Sequence, residues 1–225
     1  MRYLFVALLG LLLGAGAAGA ALYFNPMTET SADAPSSTDR VLSYSLPEQV
    51  LEFALGDDAA LLGQASGDDS LWEDTIDRTA MLGLVLTDSA HQPVAVASRL
   101  MAASVDSDLL LRGMLVSDHW LITIPGEGTL FVRADSNVWP FVKHTLVPVW
   151  YLDKPWQGPV EYLPTVGPGA ANTAKVVGIN GVFSGQDGSA VERYSVTSLD
   201  PVGHSAAAVG ELYLHLPAPQ VAIQQ

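Results

Sequence analysis

The chain has 225 residues, no cysteine, and 24 Asp and Glu against 10 Lys and Arg, for a formal net charge of −14. Without thiols there is no disulfide, no thiolate metal centre and no cysteine nucleophile, and so acidic a chain repels phosphate backbones, which argues against nucleic acid as a partner. The apolar fraction of 49 % is enough for a sizeable core.

Residues 3–24 carry no charged side chain. At about 1.5 Å of rise per residue they are long enough to cross a hydrocarbon core of about 30 Å. Arg2 stands before this stretch and Glu29, Asp33 and Asp39 after it, so the amino terminus should stay in the cytoplasm and the rest of the chain should lie outside. The reading is a single-pass transmembrane signal-anchor over 1–24, with membrane contact through 3–24. The alternative is secretion after cleavage, because Ala18-Gly19-Ala20 before Ala21 also suits a signal peptidase. The lack of cysteine and of a permissive Asn-x-Ser/Thr sequon points to a bacterial cell envelope, with the body of the protein in the periplasm. Gly10 and Gly14 stand four apart, but so Gly/Ala-rich a helix offers that spacing by composition alone, and oligomerisation gains no support from it.

Residues 25–40 are mostly Pro, Ser, Thr, Ala and acids, with almost no large apolar residue, and read as a flexible tether. A domain is expected over 41–217, with 218–225 as a tail. Residues 41–44 suit a short strand, and 47–55 a helix with Pro47 in its first turn and Gly56 past its end. The acids of 56–74 (Asp57, Asp58, Asp68, Asp69, Glu73, Asp74) lack the alternating spacing of a calcium loop and read as a solvated surface.

Beyond residue 74 short β-type runs take over. Strands are expected at 79–86, 92–105, 108–116, 119–124 and 129–134, broken by Ser117-Asp118 and by Pro125-Gly126-Glu127-Gly128. Residues 139–150 contain Pro140 and Pro148 and read as an edge or an extended crossing segment. With Pro155, Pro159, Pro164 and Pro168, 153–171 reads as a long irregular loop. Further strands follow at 174–178, 191–199 and 206–216, where Leu212, Leu214 and Leu216 alternate with polar neighbours and should face the core. About eight strands at this spacing predict an all-β fold, an antiparallel β-barrel-like domain with a short N-terminal helix, preceded by one transmembrane helix.

The run Val176-Val177-Gly178-Ile179-Asn180-Gly181-Val182-Phe183-Ser184-Gly185-Gln186-Asp187-Gly188-Ser189-Ala190 resembles the V-x-G-G-x-G-x-F-x-G-A-x-G signature of the allene oxide cyclase and dirigent barrels, departing from it at Ile179 and Gln186. The resemblance implies an eight-stranded antiparallel barrel in which Gly178, Gly181, Gly185 and Gly188 serve as turn glycines and Phe183 plugs the barrel. It also implies a cyclase or isomerase acting on a lipid-like substrate.

Catalytic signatures are sparse. Gly203-His204-Ser205-Ala206-Ala207 is close to a nucleophile elbow, but Asp200-Pro201 breaks its approach and only Glu211 and His215 follow, so a hairpin turn is the better reading. The five histidines show no metal-ligand spacing, and no phosphate-binding loop or dinucleotide fingerprint is present, so neither metal nor cofactor is expected. In a strand, Asp118 and Trp120 share a face and His119 takes the other. Trp139, Phe141, Trp150, Tyr151, Trp156 and Tyr162 form an aromatic group suited to the wall or lid of an apolar pocket, or to sealing a barrel end. Glu192 and Arg193 are the candidate polar groups for an enzyme, according to which of them turns inward. The reading is a membrane-anchored exported barrel that binds a small apolar ligand or an envelope partner, with a lipid-directed cyclase and a filled-barrel structural protein as alternatives.

Overall fold

A computed structural model describes residues 2–25, 40–45, 79–152, 155–165, 174–200 and 205–217, without the side chains of 2–7, 9, 79, 80, 150, 205 and 206. The expected tether, the helix at 47–55, the acidic run at 56–74 and the tail lie outside these residues. Nine strands are present among the described residues: β1 Arg40–Ser45, β2 Thr79–Thr87, β3 Pro93–Ala103, β4 Leu115–Ile124, β5 Gly128–Asn137, β6 Trp156–Tyr162, β7 Ala174–Gly181, β8 Asp187–Asp200 and β9 Ser205–His215. All their pairings are antiparallel. The order β7-β5-β4-β3-β2-β1-β9 is closed by β8, giving an eight-stranded barrel.

β8 has 14 residues, long enough to take two partners on one edge. β7 pairs with its first part, from Ala174↔Ala190 to Val177↔Asp187, and β6 with its second, from Trp156↔Leu199 to Tyr162↔Tyr194. The seam between β1 and β2 is thin, with the single pair Ser43↔Thr87 against six pairs between β1 and β9.

Alternation along each strand sets what faces inward. Leu42, Leu86, Ile122, Leu130, Val132, Val176, Leu212 and Leu214 fill the end of the barrel at the β4–β5 turn, where Phe183 is also buried. Each such side chain contributes roughly 1.5–3 kcal/mol by leaving water. The resemblance expects all four glycines at turns, but Gly178 and Gly188 lie within β7 and β8; only Gly181 and Gly185 take positive φ, 65° and 73°. At Gly181 a Cβ would stand 1.9 Å from the Glu127 carbonyl oxygen, so the two adjacent turns can pack only because it is absent.

Three stretches depart from the sequence reading. Residues 108–114 form a tight turn instead of a strand, and Ser117-Asp118 lies inside β4 instead of breaking it. Residues 139–152 are helical: α2 Trp139–Phe141, a π-helical turn Val142–Leu146 and α3 Val147–Leu152. Pro140 occupies the first turn, where a missing N–H costs nothing, and Pro148 follows the π turn, whose wider register has already interrupted the usual bonding. The expected loop after residue 153 contains strand β6, and Pro159 is accommodated at a register irregularity between Gln157 and Val160 on this outer strand.

Ahead of the barrel, α1 runs over Arg2–Tyr23. Among the described residues, whose side chains in this helix begin at Leu8, no helix is long and apolar enough to cross a membrane.

Candidate functional site

Beyond the apolar core, the other half of the barrel interior is polar. β3 reads Ala95, Ala97, Arg99, Met101 on its inner face, which places Arg99 where a small or apolar residue would ordinarily stand. Its cross-strand neighbour is Trp120, and the guanidinium lies 4.4 Å from the Trp120 ring centroid. Asp118, one inward position along β4, meets it from the side: Arg99 Nε donates to Asp118 Oδ1 at 2.8 Å, and Nη2 donates to Oδ2. From the opposite wall β8 brings Glu192, whose carboxylate takes Nη1 at 3.0 Å and Nη2 at 3.1 Å. Tyr44 of β1 donates its hydroxyl to Glu192 and accepts from Arg99 Nη1 at 3.1 Å. Ser136 of β5 donates to Asp118 at 3.3 Å.

Every edge of the guanidinium is therefore occupied. Arg99, Asp118 and Glu192 are each no more than 1 % exposed. Room for Tyr44 comes from Gly210 of β9, its partner in the ladder: a Cβ there would stand 2.1 Å from the ring.

Two carboxylates share one cation, and this imbalance sets the protonation chemistry. Burial, with a further push from Asp118, raises Glu192 to about 7 against the lowering pull of Arg99 and of hydrogen bonds from Tyr44 and Tyr194. Burial and the Glu192 charge likewise hold the Tyr44 phenol well above its usual value. Burial works to lower Arg99, yet Asp118 and Glu192 carry it well above the ordinary guanidinium range. The cluster thus gathers a permanent cation, a carboxyl poised near neutrality and a phenol kept protonated.

The polar end is capped. Thr165 accepts the Glu192 backbone N–H at 2.9 Å. The helical segment lies over the second part of β8, with Leu146 and Val149 packed on Leu199. Lys143 is buried, with its ammonium 5.5 Å from the Tyr23 ring centroid at the end of α1. The aromatics singled out by sequence belong mainly to this cap. Phe141 stacks edge-on against Tyr162 at 5.7 Å, Tyr162 shares a 2.6 Å hydrogen bond with Thr145, and Trp156 packs beside Leu199. Trp139 is half-buried and Tyr151 is exposed, while the Trp150 side chain lies outside the described residues. A cleft of about 200 Å³ opens at the other end of the barrel, lined by Arg40, Val41, Leu42, Asp88, Val94 and Glu127 and bridged by the 2.7 Å Arg40–Glu127 ion pair.

Glu192 turns inward and Arg193 outward, where it pairs with Glu211 and Glu161. Asp118 and Trp120 share the inner face, and His119 stacks outside on Phe131. Arg99, Tyr44 and Tyr194 escaped the sequence reading. The available signal was parity: Arg99 falls in phase with the inward alanines of its run. Among the described residues, no group of three or more acids and histidines could hold a metal. No family model matches the chain, and no curated protein matches it.

Proposed function

We propose that the protein is a membrane-tethered exported barrel that engages an envelope partner with its outer surface, its interior being given over to architecture. The observation that carries this reading is the filled interior around Arg99, where guanidinium, both carboxylates and Trp120 leave one another no accessible surface for an apolar guest. The tether is supported by α1, whose leucines at 8, 11, 12 and 13 are each more than half exposed, so the barrel does not cover them. Its retention makes the protein a single-pass component of a bacterial inner membrane, with the barrel in the periplasm. Native mass spectrometry of the full chain extracted in detergent is expected to show residues 1–24 retained and no small molecule in stoichiometric amount. A co-purifying apolar ligand would overturn the filled-barrel reading.

A second reading, a cyclase or isomerase on a lipid-like substrate as the glycine-run resemblance implies, is favoured by one observation. Glu192, poised near neutrality beside a protonated Tyr44, is the kind of pair that moves a proton. That reading requires such a substrate to reach Glu192, and the same spectra would reveal it as an adduct.

A further inference from the structure

The turn between β3 and β4 exposes three consecutive leucines, Leu109, Leu110 and Leu111, with Val105 beside them in the chain at 94 % exposure. These are not the accidental tips of a slack loop. The turn is closed by reciprocal bonds between Asp108 and Gly113, N to O at 3.0 Å and 2.7 Å. The Asp108 carboxylate accepts the Leu110 N–H at 2.9 Å and the Leu111 N–H at 3.3 Å. Ser107 bonds both backbone groups of Leu115. Gly113, at φ 85°, sits directly against the Asn137 side chain, and Met114 accepts the Val138 N–H at 2.9 Å, which ties the turn to the start of α2. The apolar tip is thus held rigidly, with the N–H groups of Leu110, Leu111, Arg112 and Gly113 all turned onto Asp108, which lowers the cost of bringing this backbone into a medium that offers no hydrogen bonds.

The place of this tip names its occupant. Asn25, two residues past the end of α1, donates its side-chain amide to the Leu110 carbonyl. Tyr23, the last residue of α1, lies against His144 and Lys143 of the helical cap. The exposed leucines therefore adjoin the point where the apolar helix meets the barrel. Phe24 at that junction and Tyr151 and Leu152 at the far end of the cap are exposed as well. Resting on the reading of α1 as a membrane anchor, we infer that this end of the barrel lies on the bilayer and that Leu109–Leu111 penetrate its outer leaflet as a second contact. The polar cluster then faces the membrane side and the Arg40 cleft faces away.

Absence of native cysteine permits single-site labelling of the full chain. Leu12→Cys, Leu110→Cys and Ser184→Cys, the last an exposed turn position at the opposite end, are each labelled with an environment-sensitive nitrobenzoxadiazole. Each is then reconstituted into phosphatidylcholine vesicles with and without brominated acyl chains; the zwitterionic lipid removes any contribution from net charge. The probes at 12 and 110 are expected to shift to the blue and to be quenched by bromine, and the probe at 184 to do neither. A probe at 110 that reports water overturns the inference whatever the probe at 12 does. A probe at 12 in water, with 110 in lipid, overturns the anchor and leaves the tip as the membrane contact.

Discussion

Glu192 is the residue at which burial and charge are most nearly in conflict. Its carboxyl is raised from 4.5 to about 7 in the folded state, so between those values the native chain holds a proton that the unfolded chain has released. Stability from this group is fully present below about pH 4.5 and is lost as pH rises through 7, the reverse of the usual salt-bridged acid. The size of the effect is about 3 kcal/mol at most. Chemical denaturation at pH 5 and pH 8 is expected to show the native chain weaker at the higher pH and the Glu192→Gln variant nearly level. An equal slope in both would place the titrating group elsewhere. Each member of the cluster sits on the inward parity of its strand, which an eye for alternation can find. That Arg99, Asp118 and Glu192 meet depends on pairings across the barrel, which no local pattern contains.

At the scale of elements, what could be read ahead was what alternates. β2, β3, β5 and β9 follow the period-two pattern closely, and Leu212 and Leu214 lie in the core. The helical cap could not be read that way, because Pro, Val, Thr and Trp are residues of extended chain when taken singly, and only docking onto β8 makes a helix worthwhile there. The leucines of 109–111 count as a strand by composition and become a turn because Asp108 and Gly113 close on each other. β9 carries the sharpest dependence on a missing side chain. Gly210→Ala is expected to force Tyr44 out of its place beside Glu192 at a cost of about 1–3 kcal/mol or more. The check is a lowered thermal midpoint, with Ala208→Val, on the same inward face but away from Tyr44, as the comparison for crowding alone.

For the molecule as a whole, the barrel class was legible from strand count and spacing, while its closure was not, since closure rests on β8 meeting both β7 and β9. The ring is uneven in strength. Amide exchange followed by mass spectrometry is expected to be fastest, among the strands of the barrel, along the β1–β2 seam with its single pair, and slowest where β8 meets β9. Equal protection on both sides of β1 would contradict this.

β1, near the start of the barrel, finds its long ladder only in β9, from Arg40↔Leu214 to Ser45↔Val209. A chain made from its amino terminus brings out every other strand of the barrel before that partner. Until the final stretch emerges, the first strand has nothing but one neighbour's corner to hold, and Tyr44 has no ladder to set it beside Glu192. Closure is therefore a last-moment event, and synthesis that stalls near the carboxyl end would leave an open, sticky sheet instead of a nearly complete protein.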